Sequence, residues 1–199
     1  TLTYWYQGVQ AAVELVRKKF GSVPIILGGV YATLCPEHAR SQSGADLVLT
    51  GPGENQILRI LQEIDGKDQF KSRAELPVFP DFDSLPSPAY ELSHNTSVLA
   101  LLTSRGCPFH CSYCASRLLY QRFEQRQPEK VAAEIRYFRR TLGTEQIAFY
   151  DDALLINKDR HLIKILEALV GSKEKWRFHT PNGLHPREVD RELARWLKI

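Results

Sequence analysis

Three of the chain's four cysteines, Cys107, Cys111 and Cys114, lie within "TSRGCPFHCSYCASR", residues 103–117, in the spacing C-x-x-x-C-x-x-C. Thiolates this close can converge on one metal centre if the loop wraps around it. A closed zinc site wants a fourth protein ligand, and only His110, inside the loop, or Cys35, remote in sequence, could supply it. A cubane 4Fe-4S cluster held by three cysteines instead leaves one iron without a protein ligand, open to a small molecule. Gly106 and Pro108 allow a tight backbone path, and Tyr113, between the last two thiols, can lean its ring over a flat ligand. His110 reads as a loop residue rather than a ligand.

These thiols need elements to hold them. The apolar run "SVLALLTS" predicts a strand that enters the cysteine loop, and a helix over 128–142 follows, with Val131, Ile135, Phe138 and Leu142 on its inner face and Pro128 in its first turn. A strand "QIAFY" then ends at Asp151 and Asp152, a helix over 158–170 carries Leu162, Leu166 and Leu169 up to a stop at Gly171, and the strand "WRFHT" precedes a helix in "PREVDRELARWLKI". Three strand-then-helix units with right-handed crossovers predict half of a barrel-like sheet. The cysteine loop then lies at the carboxyl end of a strand, where such barrels carry their active sites.

The amino-terminal third repeats the alternation. "VQAAVELVRKKF" puts Val9, Ala12, Val13, Val16 and Phe20 on one helical stripe ended by Gly21; "VPIILGG" and "ADLVLTGPGE" run apolar strands into glycine turns; "ENQILRILQEI" places Ile57, Leu58, Leu61 and Ile64 on a helical face. Such alternation predicts an α/β fold with a parallel sheet. From Lys71 to Asn95 periodicity fails, and Pro77, Pro80, Pro86 and Pro88 predict an extended connector lying across a surface.

Composition narrows the class. A chain of 199 residues with 43% hydrophobic and 25% charged residues is that of a globular protein. Its apolar runs are strand-length, short of the roughly 20 residues that cross a bilayer, so no membrane partner is expected. A net charge of +3 spread along helices makes nucleic acid an unexpected partner. Arg105, Arg117, Arg122, Arg126, Arg136, Arg139 and Arg140 follow one another around the cysteines, as a patch for an acidic electron donor or phosphate or, more simply, as a solvated helix face. With no charged-then-apolar leader, a cytoplasmic, reducing setting is expected, where thiols bind metals more often than they crosslink. The absence of methionine predicts a fragment or a chain whose methionines have been replaced.

"CPFHCSYC" resembles the cluster motif of the radical S-adenosylmethionine (SAM) enzymes, and "QPEKVAAEIRYF" followed by "IAFYDDALLIN" is similar to the family's downstream pattern. The resemblance covers residues 98–199. It implies that Cys107, Cys111 and Cys114 ligate a 4Fe-4S cluster, and that SAM chelates the open iron and is reductively cleaved to a 5'-deoxyadenosyl radical. It also implies that Tyr113 lies near the adenine and that reduced flavodoxin or ferredoxin supplies the electron. Tyr150, Asp151 and Asp152 stand where the family contacts the methionyl amine, many members with Gly-Gly-Glu; the paired acids depart from that form, and an Asp capping the next turn or helix is the competing reading. "HTPNG", His179 to Gly183, is in position to approach the ribose or the substrate.

Gly28, Gly29, Tyr31, Thr33, Gly51, Gly53 and Glu54 match a pattern that resembles the second half of the cobalamin-binding domain preceding the barrel in one radical SAM subfamily. Plain turn geometry is the alternative for the glycines. The Asp-x-His-x-x-Gly motif of histidine-ligated cobalamin domains is absent, and Cys35 reads as a small buried residue rather than a cobalt ligand. The expected architecture is the carboxyl-terminal half of a Rossmann-like cobalamin-binding domain (1–70), a Pro-rich linker (71–97) and the first strand–helix units of a partial TIM-type radical SAM barrel (98–199). Methyl transfer to an unactivated carbon is the implied reaction, with ring rearrangement and cyclisation also within the class. The alternatives are a cobalamin-free enzyme resembling tRNA methylthiotransferases and a non-enzymatic zinc-stabilised module.

Overall fold

The structure, a computed structural model, describes residues 5–64, 79–170 and 175–197. Its elements run α1 (Tyr6–Phe20), β1 (Ile26–Leu27), α2 (Val30–Leu34), α3 (Pro36–Gln42), β2 (Leu47–Val48), α4 (Glu54–Ile64), β3 (Val98–Leu101), β4 (Ser104–Arg105), α5 (Ser116–Leu119), β5 (Glu124–Gln125), α6 (Pro128–Leu142), β6 (Gln146–Phe149), α7 (Leu162–Val170), β7 (Arg177–His179) and α8 (Arg191–Trp196). They form two compact units: Thr1–Phe79 with Cys111–Gln121, and Pro80–His110 with Arg122–Ile199. Of the connector expected over 71–97, residues 71–78 lie outside the described residues and 80–97 belong to the second unit.

In the first unit β1 and β2 pair in parallel, Ile26 opposite Leu47 and Leu27 opposite Val48, each shorter than its apolar run suggested. Val9 and Val13 of α1 are buried with Leu27, Tyr31, Ala32 and Ala39. Ala12, Val16 and Phe20, expected on the same stripe, are exposed, because two-residue strands offer α1 little surface to cover. Leu61 of α4 is likewise exposed. The Arg17 guanidinium grips both Asp46 oxygens at 2.8 and 2.7 Å, and the Ile25 N–H donates to the same carboxylate. The Arg17 hydrogen bond, then that of Ile25, holds the Asp46 carboxyl below its ordinary range.

The second unit contains a parallel sheet in the order β3-β6-β7, registered Val98 to Gln146 and Gln146 to Arg177. α6 lies in sequence between β3 and β6, and α7 between β6 and β7, as two strand–helix repeats require. Val131, Ile135 and Phe138 of α6 pack with Leu162, Ile165, Leu166 and Leu169 of α7 over Leu99, Leu101, Ile147 and Phe149 of the sheet. α6 occupies the span expected from its periodicity. α7 starts at Leu162 rather than 158 because residues 152–161 form turns, with Asn157 at φ 55°; Gly171, its expected stop, lies outside the described residues. The last expected helix is broken. Pro186–Glu188 is a 3₁₀ turn, and α8 begins only after Asp190, whose carboxylate caps it by accepting the Leu193 N–H at 2.8 Å.

Residues 80–97 are anchored rather than draped. Asp81 accepts the Ser84 N–H at 2.8 Å, Phe82 is buried with the Arg105 guanidinium 4.4 Å over its ring, Asp83 pairs with Lys130 at 2.9 Å, and the Tyr90 hydroxyl donates to the Ala100 carbonyl.

Candidate functional site

After Leu101 the chain leaves the sheet and forms a narrow neck. β4 pairs antiparallel with β5, Ser104 opposite Gln125 and Arg105 opposite Glu124, and the Arg126 N–H donates to the Thr103 carbonyl at 2.9 Å. Residues 106–123, with all three clustered cysteines, are the loop this neck closes. Gly106 has φ 79°, a left-handed turn that a residue with a Cβ rarely adopts, and Cys107 follows it directly.

The boundary between the compact units falls inside the motif, so Cys107 belongs to the second unit and Cys111, Tyr113 and Cys114 to the first. Cys107 is half-buried, Cys111 and Cys114 are exposed, and none of the four cysteines forms a disulfide. The Cys114 N–H donates to the Cys111 carbonyl at 3.1 Å, a tight turn that keeps those two thiols together, and the Ser116 N–H lies 3.5 Å from the Cys114 sulfur. Tyr113 is 92% exposed, its ring open to a ligand. Among the described residues no group of three or more His, Cys, Asp or Glu is gathered as a metal site. The donor chemistry nevertheless suits an iron–sulfur cluster: three soft, unoxidised thiols on one short loop, with a backbone N–H aimed at one sulfur.

Beneath the neck lies a buried carboxylate. Asp151, 2% exposed, accepts from the Thr103 N–H (3.1 Å), the Thr103 hydroxyl (2.7 Å) and the Ser104 hydroxyl (2.6 Å), all on Oδ1; Oδ2 lies 3.2 Å from the same Thr103 N–H. It therefore bridges strand ends rather than capping the turn that follows it. Asp152 is exposed. His161, 3% exposed, donates from Nε2–H to the Arg126 carbonyl at 3.1 Å; burial holds its imidazole below the ordinary value, against the opposing pull of Asp151. The bond requires the proton on Nε2. Arg126 pairs in turn with buried Glu134 at 2.6 Å.

The loops after β6 and β7 meet at the same edge. The Asn182 side chain donates to the Tyr150 carbonyl at 2.7 Å, and His185 stacks on Phe109 of the cysteine motif with ring centroids 4.6 Å apart. Phe109, Asp152 and His185 line a small pocket there. Tyr150 is 47% exposed and borders a separate cavity of about 360 Å³ beside β3, with Phe82, Pro88, Tyr90 and Arg105. His179 turns away from the edge, its Nε2 3.1 Å from the Gln146 side chain at the start of β6. Three of the arginines are held in ion pairs: Arg122 with Glu124, Arg126 with Glu134 and Arg139 with Glu145.

In the first unit the two glycine turns are tied together by Thr33, whose hydroxyl donates to the Gly29 carbonyl and accepts the Gly51 N–H, both at 2.9 Å. Gly29 sits at φ 90°, open only to glycine in practice. Tyr31 points inward, 1% exposed, with its hydroxyl 2.7 Å from His38 Nδ1. Gly28 lies beside Leu49, a Cβ at Gly53 would meet nothing within 4 Å, and Glu54 opens α4. Cys35 is half-buried between α2 and α3.

The radical SAM superfamily profile matches residues 101–198, which span the cysteine loop and the strand–helix repeats just described. Residues 101–198 belong to the radical SAM superfamily. It is 29% identical over 162 residues to an uncharacterized methyltransferase of Pyrococcus horikoshii, covering 70% of this chain and 35% of that protein. It is 24% identical over 165 residues to the anaerobic magnesium-protoporphyrin IX monomethyl ester cyclase of Synechocystis, covering 72% and 33%. With the bacteriochlorophyllide d C-12(1)-methyltransferase of Chlorobaculum tepidum it shares 25% over 190 residues, 89% of this chain and 40% of the relative. The chain thus spans about a third of the length of the curated relatives it matches. The mixed α/β architecture with parallel strands is that of a partial radical SAM domain, and among the described residues no helix is long and apolar enough to cross a membrane.

Proposed function

We propose that this chain is part of a radical SAM enzyme in which Cys107, Cys111 and Cys114 hold a 4Fe-4S cluster. The observation that carries the proposal is a loop of three unoxidised thiols closed by a β-neck at the carboxyl edge of a parallel sheet, inside the segment that matches the superfamily. With SAM bound at its open iron, the cluster would supply reductive cleavage to a 5'-deoxyadenosyl radical. Tyr113 offers an exposed ring to the adenine. Tyr150 and Asp152, exposed at the edge, are the side chains we place towards the methionyl amine, and the Asp151 carboxylate is held by Thr103 and Ser104. The half-buried Phe109–His185 stack closes one flank against water.

The first unit, on this proposal, contributes to a cobalamin site: Gly28, Gly29, Gly51 and Gly53 bring backbone close to the cofactor's tail, with Thr33 fixing the two turns against each other and Glu54 at the head of α4. Tyr31 supports these turns from within. Methyl transfer or cyclisation fits the relatives' names, cobalamin would serve that chemistry from the first unit, and a reduced flavodoxin or ferredoxin in the cytoplasm would donate the electron. The test is anaerobic reconstitution of the protein with iron and sulfide. A brown protein with about four irons per chain that cleaves SAM under dithionite supports the proposal; stoichiometric zinc without iron rejects it. Cobalamin retained through gel filtration supports the first unit's role, and its loss together with intact SAM cleavage removes that role alone.

A further inference from the structure

We infer that Asp151 is a positioning residue: it clamps the base of the cysteine loop to the end of β6, acting through Thr103 and Ser104 rather than by touching a ligand. The inference rests on the proposed function for its consequence, while its geometry stands on the hydrogen bonds alone. A carboxylate offers about four acceptor positions, and here three donors converge on Oδ1 while Oδ2 faces the Thr103 N–H. Charge-assisted bonds of this kind are roughly twice as strong as neutral ones, and a carboxylate buried to 2% exposure keeps them from exchanging with water.

The neck needs such support. β4 and β5 pair through only two residues each, and an isolated two-stranded ribbon is marginal by itself. Asp151 grips the outgoing strand at Thr103 and Ser104, three residues before Cys107. His161, ten residues further along, grips the returning strand at the Arg126 carbonyl. Both sides of the neck are therefore fastened to the segment that leaves β6, and the direction in which Gly106 launches the loop follows from that attachment.

The test compares Asp151→Asn, Ser104→Ala and Asp152→Asn in the whole protein. Asp151→Asn is isosteric and can keep its Oδ1 bonds, so it folds while losing the charge and placing an N–H against that of Thr103; Ser104→Ala removes one donor and leaves the carboxylate in place. Amide exchange of residues 103–107 in the metal-free protein is expected to rise at least about tenfold in Asp151→Asn, the loss of a charge-assisted bond, with a smaller rise in Ser104→Ala and none in Asp152→Asn. After reconstitution, the first two variants should release iron to a chelator faster and broaden the reduced cluster's electron paramagnetic resonance (EPR) spectrum before SAM is added. Unchanged exchange in Asp151→Asn overturns the clamp. An unaltered cluster spectrum with SAM affinity weakened about tenfold overturns it in favour of direct ligand contact. A wild type that takes up no iron, with exchange still raised in Asp151→Asn, sinks the proposed function and leaves the clamp standing.

Discussion

At the edge of the three-stranded sheet a buried carboxylate, Asp151, gathers the donors of Thr103 and Ser104; at the edge of the two-stranded sheet a hydroxyl, Thr33, joins the Gly29 carbonyl to the Gly51 N–H. Both devices tie together loops that leave parallel strands, yet they work in different surroundings. The first stands over a core that runs from Leu99 through α6 and α7 to Leu193, the second over Val9, Val13, Leu27, Tyr31, Ala32 and Ala39. A charged clasp is tolerable where several donors offset its desolvation. A neutral one suffices where the surface is half open. The difference teaches that the second unit's edge is rigid by construction, and that the first unit's edge is held chiefly by local bonds.

The comparison breaks most visibly in the cores. Ile165→Ala, at a fully buried site in the second unit, should cost about 3–5 kcal/mol, whereas Val9→Ala in the first should cost about 1–2 kcal/mol because its smaller side chain borders solvent; urea midpoints followed by circular dichroism check both. Equal costs would erase the contrast. At the clasps themselves, Asp151→Ala should cost about 3 kcal/mol, since it strands the Thr103 and Ser104 donors, and Thr33→Val about 1 kcal/mol, since it strands only the half-buried Gly51 N–H. Differential scanning fluorimetry reads both, and a larger loss for Thr33→Val would reverse the ranking.

Acid should separate the units next. His161 is held below its ordinary value, so folding disfavours its protonation; its contribution is complete above about pH 6.5, the unfolded value, and is lost as pH falls towards the lowered one. Asp46 is held below the carboxylate range, so its contribution is complete above about pH 3.9 and declines only below that. Amide protection, corrected for the intrinsic slowing of exchange in acid, is therefore expected to fall around residues 103–107 and 126 between pH 6.5 and 5 while residues 23–27 and 46 stay protected. The smallest effect is that of salt: Arg17→Gln should shift the melting temperature less at 0.5 M salt than at low salt, because its pair with Asp46 is exposed. A salt-independent loss would mean that Arg17 acts by packing.

Much of this was legible in the sequence, for reasons that differ along the chain. Val131, Ile135 and Phe138 have neighbours on α7 to pack against, so their spacing gives α6 at its observed bounds. Val16 and Phe20 carry the same periodicity yet are exposed among the described residues, and periodicity alone does not say what lies opposite a helix. The broken last helix was signalled by Pro186 and by Asp190, a good cap, both inside a segment whose apolar spacing looked continuous. Cys107, Cys111 and Cys114 announced themselves through rarity and spacing. Thr103, Ser104 and His161 did not: small polar residues at a strand end and one histidine in a turn-rich stretch become a network only when the register of β3 and β6 brings residues 48 apart in sequence together. Asp151 was singled out for a ligand because paired acids at a strand end look available, and burial is what distinguishes it from Asp152.

If three thiols hold an iron cluster with one site left for SAM, the EPR spectrum of the dithionite-reduced, anaerobically reconstituted protein, recorded before and after SAM is added, will show it. A reduced-cubane signal from about four irons per chain is expected, shifting on adding SAM and absent in Cys111→Ala. A protein that binds zinc without iron, or whose signal SAM leaves unchanged, would contradict it.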